Sequence, residues 1–267
     1  MNIRKSIVGA IALALLLASC TSAASGPTDF QHQSVDWGEC DSSLFLGADQ
    51  ADSGFSKTDI QCAKIKVPVV YGKDSTDELT VQLMKDPADG PASDYKGVLL
   101  GNPGGPGESG IDYIQFVAYP AKLRAAYDII GFDPRGVGAS SPVRCSDSLD
   151  LRSYFEYPFD VANQKQADDL AKQEQAYYTD CEQKNPYWWA INTDSVVQDI
   201  ELIRSLLTPK QPLNFMGHSY GTTLAARYIS KYPQHVGRMI LDSPVAASKD
   251  DIEANLESAK ASAAARN

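Results

Sequence analysis

Two rhythms of apolar positions run along the chain from residue 62 onward. "AKIKVPVVY" and "ELTVQLMK" alternate apolar with polar positions, Val81 and Leu83 among them, and "GKDSTD" between them carries turn residues. This pattern predicts an antiparallel hairpin at the edge of a sheet. Four short, nearly continuous apolar runs follow, "KGVLLGN", "YDIIGFD", "LNFMG" and "GRMILDSP", each ending in loop chemistry. Runs that are apolar on both faces fit buried parallel strands. Between some of them the period lengthens to that of a helix. "TDSVVQDIELIRSLL" places Val196, Ile200, Ile203 and Leu207 on one face, with Asn192 or Thr193 as N-cap and Pro209 just beyond the end. The segment after Ser219 places Leu224, Tyr228 and Ile229 on an inner face. Strands alternating with helices predict an α/β fold, a mostly parallel sheet with flanking helices. Residues 146–190 read as a helical, tyrosine-bearing insertion, and residues 248–267 as a polar, alanine-rich helix.

The start of the chain follows neither rhythm. Arg4 and Lys5 precede an apolar core, Ile7 to Leu17, that is too short to span a bilayer as a stable helix. Leu17-Ala18-Ser19-Cys20 resembles the lipobox of bacterial lipoproteins. That resemblance implies a signal peptide over 1–19 and a lipid on Cys20 that anchors the protein to the outer face of the cell membrane. The alternative is an ordinary secretory signal cleaved near Ala24. Both readings export the protein. Residues 20–39, rich in Ser, Ala, Gly, Thr and Gln, read as a flexible tether.

The remaining composition narrows the function. A chain of 267 residues with 43% hydrophobic and 22% charged residues is ordinary globular protein, long enough for one sizeable domain. The net charge of −10 argues against a nucleic-acid partner. No Cys/His spacing suggests a metal site, and no motif calls for a cofactor. With Cys20 lipidated, Cys40, Cys62, Cys145 and Cys181 remain. An even number in an exported chain suggests two disulfides, and three pairings are possible. Cys40–Cys62 and Cys145–Cys181 are favoured, because each closes a short loop around a loop-like stretch.

The chemistry centres on Gly217-His218-Ser219-Tyr220-Gly221, with a strand before it and a helix after it. Strand, G-x-S-x-G, helix is a nucleophile elbow: the tight turn lifts the Ser219 hydroxyl to the end of the sheet. A serine hydroxyl is nearly inert until a base takes its proton. An oxyanion hole is the second requirement, and it needs backbone N–H groups aimed at one point. The glycine-rich "GNPGGPGESG" follows an earlier strand and meets that need, with the N–H groups of Gly105 and Tyr220 as candidate donors. The loop lacks the lysine of a P-loop, which argues against a phosphate site.

"NPGGPG", "FDPRGVGASSP", "GHSYGTTLA" and "YPQHVGRMILDSPV", in this order and spacing, resemble exported actinobacterial tripeptidyl aminopeptidases. These are α/β-hydrolases related to the proline iminopeptidases, and the resemblance covers about residues 36–245. It implies an α/β-hydrolase core over 40–247, Ser219 as nucleophile, and peptide substrates cleaved near a free N-terminus. In "DPRGVG", Asp133 and Arg135 are expected to be framework, the arginine holding the loop through bidentate bonds.

The family pattern then runs out. Its triad is ordered Ser, Asp or Glu, His, with the last two on later strands. Only His235 follows Ser219. It lies past the helix that leaves the elbow, about 20 Å away by helical rise, and reads as a surface loop residue. His218 reads as a packed structural residue, and His32 falls in the tether. Asp242 is a weak candidate for the acid. The expectation is thus the front portion of a peptidase, stopping before its last two strands, with 248–267 as the start of a helical cap. Three alternatives stand beside the aminopeptidase reading: a catalytically inactive truncated fragment, or a partner for a separately encoded C-terminal half; a lipid-anchored peptide-binding protein; and an esterase.

Overall fold

The computed structural model describes residues 29–47, 55, 58–72, 77–145 and 163–245. The expectations for residues 1–28, with Cys20, and for 248–267 lie outside the described residues, as does the first part of the insertion.

Six strands form one sheet in the order β1-β2-β4-β3-β5-β6. β1 (Gln61–Pro68) and β2 (Glu78–Asp86) make the antiparallel edge hairpin, with Ile65 opposite Val81. β3 (Gly97–Asn102), β4 (Tyr127–Phe132), β5 (Leu213–His218) and β6 (Val236–Asp242) are mutually parallel, and β2 joins them antiparallel through β4. This is the mostly parallel α/β arrangement anticipated from the pattern of runs, and it agrees with the α/β-hydrolase core that the resemblance implies.

Both faces of the sheet are covered, which is why the central runs are apolar without alternation. One face packs Leu100, Ile130, Phe132 and Phe215 under Val197, Ile200, Ile203, Leu224 and Tyr228. Those side chains come from α4 (Thr193–Leu207) and α5 (Tyr220–Lys231). The other face packs Met84, Leu99 and Ile129 under Ile111 and Ile114 of α1 (Gly110–Phe116). A short helix, α2 (Ala121–Arg124), precedes β4, and α3 (Gln164–Lys184) carries the second half of the insertion. Asn192 is the N-cap of α4, its side chain accepting from Ser195 N–H. Cys40 is disulfide-bonded to Cys62, and Cys145 to Cys181.

Three expectations need correction. Ile229 is 37% exposed, whereas Ala225 is buried. Leu224, Ala225 and Tyr228 fill the inner stripe of α5, and Ile229 lies one further step, about 100°, around the helix. The tether reading does not hold from residue 30 onward. Phe30, Val35 and Trp37 pack against the core, Gln33 bonds both the N–H and the carbonyl of Lys66, and Gly38 bridges Cys62. Polar composition masked this, because Gln33 uses its amide to imitate a strand's hydrogen bonds. The third concerns the histidines and is described with the site.

Candidate active site

The serine turn sits at the C-terminal end of β5. Ser219 has φ 52° and ψ −121°, a conformation that a non-glycine residue adopts only under constraint. The constraint is visible. Ser219 N–H donates to the carbonyl of Asp242 at 3.0 Å, tying the turn to the end of β6. The Ser219 carbonyl accepts from Thr222 N–H (2.9 Å) and Thr222 Oγ1 (2.7 Å), which starts α5. Both flanking glycines are needed for close approach. A Cβ on Gly217 would stand 2.5 Å from the Gly221 carbonyl oxygen, and one on Gly221 2.7 Å from that of Asn102. Tyr220 is anchored in turn, its hydroxyl 2.7 Å from Thr193 Oγ1.

The glycine loop after β3 lies directly against this turn. Asn102 pairs in register with Gly217. Two residues on, Gly104 has φ +109°, and a Cβ there would stand 2.6 Å from the His218 carbonyl oxygen and 2.8 Å from Tyr220 N. Gly104 is thus the residue that touches the elbow, one position before Gly105, the candidate oxyanion donor. Its N–H donates to Asn102 Oδ1 at 3.1 Å. Gly105 follows, also at positive φ, joined to Pro106 by a cis peptide.

His218 is not packed. Its side chain is 44% exposed, and Nδ1 lies 3.4 Å from Asp242 Oδ2. Asp242 is exposed, and its other carboxylate oxygen accepts from Ser243 Oγ at 3.2 Å. His235 lies on the 3-10 turn Pro233–His235 rather than in a loop, with Nδ1 2.9 Å from Glu201 Oε1. Glu201 also receives Arg204 (2.8 and 2.9 Å) and Tyr228 Oη (2.6 Å). Burial pushes its pKa up, but these donors outweigh it and hold the carboxyl below its ordinary value. His32 sits on Asp29. Among the described residues, no histidine hydrogen-bonds the Ser219 hydroxyl.

Asp133 and Arg135 brace the loop after β4. Asp133 accepts from Ser109 Oγ (2.6 Å) and Ala139 N–H (2.8 Å), joining the loop after β4 to the start of α1. Arg135 is fully buried and uses all its donor groups. It binds Asp199 through Nε (2.7 Å) and a terminal nitrogen (2.5 Å), and it reaches the carbonyls of Pro68, Val69 and Ala190. Tyr71 Oη donates to the same Asp199 at 2.7 Å. Sequence reading missed Asp199, which looks like one more acid on an amphipathic helix.

Among the described residues, no group of His, Cys, Asp and Glu could hold a metal ion, and no helix is long and apolar enough to cross a membrane.

Comparison with known proteins fits this geometry. The family model described as alpha/beta hydrolase fold matches residues 97–264. The chain is 35% identical over 233 residues to the tripeptidyl aminopeptidase of Streptomyces lividans, covering 84% of this chain and 41% of that protein. It is 36% identical over 205 residues to serine protease Hip1 of Mycobacterium bovis, covering 74% and 38%. A protein named carboxylesterase B from Mycobacterium tuberculosis is 29% identical over 206 residues, covering 73% and 38%. The chain therefore spans about two fifths of the length of the curated relatives it matches.

Proposed function

The chain belongs to the α/β-hydrolase family, and from that premise we propose that it carries the nucleophile and oxyanion site of an exported serine aminopeptidase. Ser219 attacks the carbonyl of a peptide near its free N-terminus. The N–H groups of Tyr220 and Gly105 receive the oxyanion of the tetrahedral intermediate. The observation that carries this reading is the strained Ser219, clamped between the Asp242 carbonyl and the glycine loop. Backbone strain of this kind clusters at active sites, where the surrounding structure holds it in place. Kinship to a tripeptidyl aminopeptidase and a serine protease favours peptides over esters.

Export rests on the apolar start with its Cys20 lipobox and on the two disulfides, which persist in oxidising compartments. Residues 1–19 are the signal peptide, Cys20 bears the lipid anchor, and the core extends to 247 with a cap beginning at 248.

A second reading has its own support. No described histidine hydrogen-bonds the Ser219 hydroxyl, which favours a lipid-anchored protein that binds peptides without turning them over. A fluorophosphonate probe on the purified full chain, with Ser219→Ala as control, separates the two. Labelling that vanishes in Ser219→Ala supports the nucleophile reading. Turnover of peptide amides with a free N-terminus, but not of blocked ones, supports the aminopeptidase. Cleavage of esters alone would replace it with an esterase.

A further inference from the structure

Resting on the reading of Ser219 as a nucleophile, we infer that Asn102 is a positioning residue that holds the glycine loop against the serine turn. It is the last residue of β3, is 1% exposed, and stands beside Gly217 where the two site-bearing strands meet. Its side chain touches both parts of the site. Oδ1 accepts the Gly104 N–H at 3.1 Å. The same oxygen lies 3.0 Å from where a Cβ of Gly221 would stand. One carboxamide therefore sets the spacing between loop and elbow.

The bond also selects the oxyanion donor. It takes up the Gly104 N–H, so the next N–H of the loop, that of Gly105, is the one left to face a substrate. The amide can sit only one way round: turning it over would set Nδ2 against the Gly104 N–H, donor against donor. In the observed orientation Nδ2 is buried, with no hydrogen-bond partner among the described residues. A buried donor without a partner is costly, but an apolar residue would strand the buried Gly104 N–H in its place. A neutral amide therefore has a reason to be here. It supplies the acceptor that Gly104 needs without placing a negative charge beneath the point where an oxyanion forms.

The experiment uses the full chain, comparing Asn102→Ala and Asn102→Asp with the parent. It records amide exchange at Gly104 by NMR, the melting transition, and the rate of Ser219 labelling by a fluorophosphonate. In Asn102→Ala the Gly104 amide should exchange at least tenfold faster, and labelling should fall at least tenfold, with melting still cooperative. Asn102→Asp keeps an acceptor, so Gly104 should stay protected while labelling still falls at least tenfold. Parental exchange and labelling in Asn102→Ala overturn the inference. If Asn102→Ala fails to fold, Asn102→Asp decides: slow labelling with a protected Gly104 supports the role, and parental labelling overturns it. If the parent itself is not labelled, the nucleophile reading falls. Gly104 exchange in Asn102→Ala then decides whether Asn102 holds the loop, an unchanged rate overturning it.

Discussion

The backbone N–H of Ser219 donates to the carbonyl of Asp242 at 3.0 Å, across the boundary between β5 and β6. The two strands pair in register up to His218 and Asp242. The ladder therefore ends in a bond to a residue whose backbone sits at positive φ. Sheet pairing supplies the energy that keeps Ser219 in a conformation it would leave as a free peptide. The same arrangement sets the His218 imidazole beside the Asp242 carboxylate.

Gly104 is where the loop is least tolerant. Gly104→Ala would need φ +109° for an L residue and would press a methyl group on the His218 carbonyl oxygen and Tyr220 N. The expected cost is about 1–3 kcal/mol of stability. Fluorophosphonate labelling of Ser219 should fall at least tenfold. A variant that labels at the parental rate would show that loop and elbow are independent.

Asp199 and Arg135 form a buried pair with a tyrosine hydroxyl as third member. Removing one partner leaves the other charge unpaired in the core. Asp199→Ala should cost about 3–5 kcal/mol in urea unfolding. The double variant Arg135→Met with Asp199→Leu should cost less than Asp199→Ala, since no charge is stranded. A double variant worse than the single one counts against this account.

Asp86 gives the fold a pH dependence. Burial lifts its carboxyl to about 6, against the smaller opposing pull of Arg124. The folded form therefore holds this proton at pH values where the unfolded chain, near 3.8, has lost it. Between those values the native state binds more protons, so stability falls as pH rises from about 4 to about 6 and is level above. Solvent access limits the effect to about 1–2 kcal/mol. Melting profiles of the parent and Asp86→Asn should converge in slope once the parent is above pH 7, and differ between 4 and 6. Parallel profiles throughout would refute the assignment.

The Cys40–Cys62 bridge closes a separation of 22 residues and pins the segment that carries Trp37 to β1. Replacing both cysteines with serine should lower stability by about 3 kcal/mol through the freedom returned to the unfolded chain. Equilibrium unfolding of the double variant checks this; no change in midpoint would mean that Gln33 and Trp37 hold the segment unaided.

The six strands, the helices over 193–207 and after Ser219, and the strand–turn–helix around Ser219 were legible from sequence, with the α4 cap narrowed to Asn192 or Thr193. Each depends on neighbours within a turn or two: the apolar runs of buried strands, helical spacing, and the glycines of a tight turn. The site around Ser219 was legible only in part. Gly104 and Gly105 are alike as letters, and only the meeting of β3 with β5 shows which one touches the elbow. Asp199 became a partner of Arg135 because α4 docks on the hairpin side of the loop after β4. The carbonyl that clamps Ser219 belongs to Asp242, a backbone role that no side-chain pattern announces. His218 and Ile229 were misjudged because local periodicity gives a direction, whereas exposure depends on what lies opposite. Short-range sterics and periodicity thus determined the elements and the serine turn of this chain. Contacts between residues far apart in sequence decided which atoms hold Ser219 in place, because only chain packing brings them within hydrogen-bonding distance.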